Sequence, residues 1–113
     1  MGINPVDPAL TTEGDNAMAL VMTILEARVP ADSWPELKSA YEAMIAGKPP
    51  QILQGYLVQG VEEPALWRAI AIWNSREAFD EYRKSVETPA GMVMFHLVGA
   101  EPQMTLFEVA LQT

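Results

Sequence analysis

The chain contains no cysteine and only one histidine. The first absence excludes disulfides, thiolate nucleophiles and most structural zinc sites. The second excludes a His-rich metal centre built within one chain. Basic charge is also scarce, with 7 Lys and Arg against 15 Asp and Glu, for a formal charge of −8. A phosphate backbone is held by clustered cations, and no stretch supplies them, so nucleic acid is not an expected partner. Polybasic attachment to an anionic membrane is disfavoured for the same reason. No apolar run approaches the roughly 18 residues of a spanning helix. The opening MGINPVDPALTTEGDN has neither the basic residue nor the apolar stretch of a signal peptide. The expectation is a cytoplasmic protein, with no sequence support for a flavin, nicotinamide or metal cofactor: P-loop, G-x-G-x-x-G, nucleophile elbow and His-x-x-x-His are all missing.

What is present is a core. Half of the 113 residues are hydrophobic, which places the chain among single globular domains. Residues 1–16, with two prolines and three acids, read as a flexible N-terminal arm, or alternatively as a segment packed across a partner subunit. Residues 17–113 form the expected domain. AMALVMTILEARV, 17–29, is apolar at both parities through its first half, as in a strand with both faces covered. Pro30 ends it. A helix follows, with Ser33 and Glu36 as a capping box, Pro35 near its start, an apolar stripe of Trp34, Leu37, Tyr41, Met44 and Ile45, and Gly47 at its end. QILQGYLVQG, 51–60, and ALWRAIAIW, 65–73, read as a hairpin of strands joined by the turn VEEP.

Asn74 or Ser75 is placed to cap the next helix, whose apolar face is Ala78, Phe79, Tyr82 and Val86. Asp80 and Lys84 form an i,i+4 pair on its wet side. MVMFHLV, 92–98, is apolar throughout, and its periodicity separates neither helix from strand. QMTLFEVALQT, 103–113, closes the chain as a strand.

The order β-α-β-β-α-β is that of an α+β, ferredoxin-like split βαβ fold: an antiparallel four-stranded sheet with helices on one face. The second sheet face would then be bare although its residues are apolar. A second copy, packed sheet to sheet about a two-fold axis, is the simplest cover, so a homodimer is expected.

The strand ALVMTILEARV, the helix WPELKSAYEAM and above all AIWNSREAFDEYRKS resemble the dimeric α+β barrel superfamily, most closely its antibiotic-biosynthesis-monooxygenase-type members. The resemblance spans residues 17–113. It implies a dimeric α+β barrel whose activity is either cofactor-independent oxygenation, haem degradation or none. Haem-degrading members carry an Asn on the first strand and a Trp on the second helix. Here that Asn is missing and Tyr82 stands near the Trp position.

Six residues are candidates for chemistry. His96 is a base for a phenol or hydroquinone, or else a core histidine bonded to a backbone carbonyl. Trp67 and Trp73 bracket Ala69 and Ala71 on one strand face; the small residues leave room for a flat aromatic ligand between the indoles, unless a helix packs directly onto them. Asn74 is a polar anchor for a substrate oxygen, or only a cap. Arg68 either holds an acidic substrate group or pairs with Glu26 or Glu108. Tyr82, like Tyr41 and Tyr56, is a potential hydrogen-bond donor. The leading expectation is a cofactor-independent monooxygenase for a planar aromatic or phenolic molecule. The alternatives are a non-catalytic binder of a hydrophobic small molecule and a purely structural dimer.

Overall fold

Strand β1, Val21–Arg28, alternates strictly: Val21, Thr23, Leu25 and Ala27 are buried, while Met22, Ile24 and Glu26 are half-buried. The computed structural model describes residues 19–113, so the arm expected over 1–16 lies outside the described residues. A short 3-10 turn, Ala31–Ser33, leads into helix α1, Trp34–Ala46. Ser33 stands at the N-cap position, but its backbone is already helical and its side chain makes no capping bond. The expected capping box is therefore absent, because a capping side chain needs an extended backbone beneath it. Strands β2, Ile52–Gln59, and β3, Leu66–Trp73, form the anticipated hairpin. A bulge at Leu53 interrupts their register.

Helix α2, Arg76–Ser85, begins at Ser75, whose extended backbone lets its hydroxyl accept from the Ala78 N–H at 3.0 Å. Asp80 pairs with Arg76 at 3.3 Å rather than with Lys84. The ambiguous apolar segment is helix α3, Ala90–Leu97. Met94 and Phe95 face inward while Val93 and Leu97 are exposed, a helical rather than a strand alternation. Gly99 ends it at φ +76°, in the left-handed region that favours glycine. Strand β4, Gln103–Glu108, is shorter than the strand expected over 103–113.

The strands form one antiparallel sheet in the order β2-β3-β1-β4, the ferredoxin-like arrangement. Register sets two faces. Trp67, Ala69, Ala71 and Trp73 of β3 lie on the same side as Val21, Thr23, Leu25 and Ala27 of β1, and the helices cover that side. The principal core joins Leu25, Ala27, Trp67 and Ala69 to Leu37 of α1 and to Met94 and Phe95 of α3. A second, smaller cluster joins Val21 and Trp73 to Phe79 of α2.

The opposite face pairs Met22 with Ile72 and Phe107, and Ile24 with Ile70 and Thr105, with Tyr56 beside Ile70. No helix covers it. Tyr56 and Phe107 are each about half exposed, at 48% and 49%.

Candidate functional site

The two core clusters do not meet. Between them, above Ala69 and Ala71, lies a cavity of about 480 Å³, within the range of small-molecule sites. Thr23, Leu25 and the two alanines form its sheet side, joined by Gly55 of β2. Tyr41, Met44 and Ile45 approach from α1, Phe79 and Tyr82 from α2, and Pro89, Ala90 and Gly91 from the entry to α3. The lining is mainly apolar.

Trp73 is the wall at one end. Its ring centroid lies 5.3 Å from that of Phe79 at a steep angle and 5.1 Å from that of Tyr82, so three aromatic rings pack as a unit. The Trp73 indole N–H is buried and donates to the Thr23 hydroxyl at 3.1 Å. That bond consumes the indole donor but leaves the threonine proton free for another acceptor. Tyr82 is used similarly: its hydroxyl oxygen accepts from the Ala90 N–H at 3.0 Å, and its own proton remains to be donated. The Tyr41 phenol lies over Gly55, where a Cβ would stand only 3.1 Å from its oxygen. Burial pushes the Tyr41 hydroxyl above the ordinary tyrosine value, so at neutral pH it is a donor. Three hydroxyls on an apolar surface therefore offer protons to oxygen atoms of a bound molecule. Among the described residues, no carboxylate and no imidazole lines the cavity.

The candidate residues divide accordingly. Trp73 and Tyr82 line the cavity. Trp67 does not: it is buried against Trp34, edge to face at 6.0 Å, and belongs to the principal core. Arg68 points to the open sheet face and donates to Glu26 at 2.6 Å, the cross-strand pair that was its alternative reading. Asn74 is exposed, and its backbone N–H bonds to the Gln51 carbonyl. Neither its side chain nor that of His96 lines the cavity. His96 is exposed on α3, with Nε2 3.4 Å from the Glu101 carboxylate. Thr23 and Lys48 are lining residues that sequence reasoning did not single out. Thr23 had a signal, as the one hydroxyl among the buried residues of β1; Lys48, in a loop, had none.

This arrangement of sheet and helices has counterparts of known structure. SnoaB from Streptomyces nogalater, a cofactor-independent oxygenase, matches with a TM-score of 0.63 at 19% identity, over 84% of this chain and 96% of that one. A candidate antibiotic biosynthesis monooxygenase from Deinococcus radiodurans matches with a TM-score of 0.64 at 11% identity, over 82% and 95%. The chain shares the α+β ferredoxin-like fold of these structures. A conserved protein from Methanosarcina mazei shares the fold too, with a TM-score of 0.64 at 13% identity, over 81% and 94%. The sequence matches no family model and no curated protein. At these identities the likeness is one of fold, and fold does not carry function by itself.

Proposed function

We propose that this protein is a cofactor-independent monooxygenase that binds a planar, electron-rich aromatic molecule in the cavity above Ala69 and Ala71. The observation that carries the reading is the cavity itself: apolar, faced by the Trp73, Phe79 and Tyr82 rings, and supplied with hydroxyl donors. SnoaB, a cofactor-independent oxygenase of the same fold, supports it. The reaction proposed is phenol plus O₂ to quinone plus water. One oxygen atom replaces the ring hydrogen as a carbonyl, and the other leaves as water. All four electrons come from the substrate, so no external reductant is required. The phenolate form reduces O₂, and the hydroxyls of Thr23, Tyr41 and Tyr82 stabilise negative charge on the substrate oxygen. Solvent takes the phenol proton in this scheme, because His96 and Asn74 stand outside the cavity. Removing His96 is then without effect on turnover.

Among the described residues no carboxylate or imidazole lines the cavity, which favours a second reading, a binder without chemistry. An oxygen electrode separates the two. Oxygen consumption with polycyclic phenols or hydroquinones, matched by quinone absorbance, supports the enzyme. Saturable binding of the same compounds with no oxygen uptake leaves the binder.

We propose also that the open sheet face, with Met22, Ile24, Tyr56, Ile70, Ile72 and Phe107, is covered by a second copy of the chain. Exposed apolar sheet of this kind is an aggregation liability on a monomer. A monomer at micromolar concentration in sedimentation would refute the dimer.

A further inference from the structure

Among the described residues, Lys48 is the one charged side chain that lines the cavity. It lies in the loop between α1 and β2, exposed, and so stands at the mouth. Its ammonium group donates to the Ile52 carbonyl at 3.0 Å, and Pro49 and Pro50 stiffen the segment that follows. Among the described residues, no carboxylate pairs with it, whereas Arg28, Arg68 and Arg76 are each paired with an acid. In a chain of net charge −8, an unpaired cation held beside an apolar cavity is a local exception. The overall field repels an anion at a distance, so this lysine acts at contact.

We propose that Lys48 selects ligands that carry an anionic group, a carboxylate or sulfonate, at the edge of the planar aromatic body. The aromatic part lies above Ala69 and Ala71, and the anion meets the ammonium group at the mouth. This inference rests on the proposed ligand-binding role of the cavity.

Two fluorescent probes of similar aromatic size test it: anilinonaphthalene sulfonate, which is anionic, and N-phenylnaphthylamine, which is neutral. Each is titrated into the wild-type protein, Lys48→Met, Lys48→Arg and Ala71→Leu, with circular dichroism to confirm folding. Lys48→Met is expected to weaken the sulfonate by about three- to tenfold and to leave the neutral probe unchanged. Lys48→Arg restores the sulfonate. Ala71→Leu weakens both probes, placing them in the cavity. Equal sulfonate affinity in wild type and Lys48→Met, with Ala71→Leu still weakening both probes, overturns the role of Lys48 alone. So does parallel weakening of both probes by Lys48→Met, which would make the lysine structural. Absence of binding by either probe, or binding insensitive to Ala71→Leu, overturns the cavity reading beneath it.

Discussion

The indole of Trp73 and the hydroxyl of Thr23, fifty residues apart in sequence, are joined by a buried hydrogen bond between adjacent strands. The bond fixes the ring that walls the cavity. It also adds a polar link between β1 and β3 beside the smaller core cluster. Thr23→Val keeps the shape but strands a buried N–H, which costs about 1–3 kcal/mol. The double variant Thr23→Val with Trp73→Phe removes the donor too. Urea unfolding of both singles and the double is expected to show that the two losses do not add. Additive losses would mean the bond contributes nothing specific.

Filling the cavity separates binding from folding. Ala71→Leu extends a side chain into empty space, so its cost to stability is expected to stay under about 1.5 kcal/mol. Ligand affinity is expected to fall at least tenfold. A variant that unfolds outright would show the space above Ala71 to be already occupied by packed side chains.

The hinge before α2 gives an asymmetric pair. Ser75→Ala removes the bond to the Ala78 N–H and is expected to cost about 1 kcal/mol. Asn74→Ala changes an exposed side chain and is expected to stay within about 0.5 kcal/mol. Thermal melts of the two variants decide this, and a larger loss at Asn74 would reverse the assignment.

Tyr41 carries a pH dependence. Burial raises its folded-state value above the ordinary 10.0. The neutral phenol is thus favoured in the fold, and that contribution is intact below the unfolded value. It is lost as pH rises through the raised folded value. Tyrosine absorbance should show a group titrating above the ordinary tyrosine value in the native protein, and Tyr41→Phe should abolish it. Persistence of that late titration in Tyr41→Phe would refute its assignment to Tyr41.

Much of the architecture was legible because the patterns were local. Two strands apolar at both parities, a turn of VEEP and a stop at Pro30 prescribe the sheet without reference to distant residues. The cavity was legible in part: Ala69 and Ala71 between two indoles did leave space. Only Trp73 faces it, because Trp34 at the start of α1 draws Trp67 into the principal core, and no pattern in β3 could register that competition. The place of His96 outside the cavity was not legible for a related reason. Until residues 90–97 are known to be helical, the face on which each side chain falls is undetermined. With Met94 and Phe95 turned inward, the following turn carries His96 to solvent. Lys48 was invisible for want of any periodicity in its loop.

The separation of the core into two clusters has a consequence for volume. Space that an apolar interior leaves unfilled disappears when the chain unfolds, so the unfolded form occupies less volume. Hydrostatic pressure should therefore destabilise this protein more readily than its modest size suggests. A molecule that fits between the clusters should restore its resistance in proportion to the void it displaces.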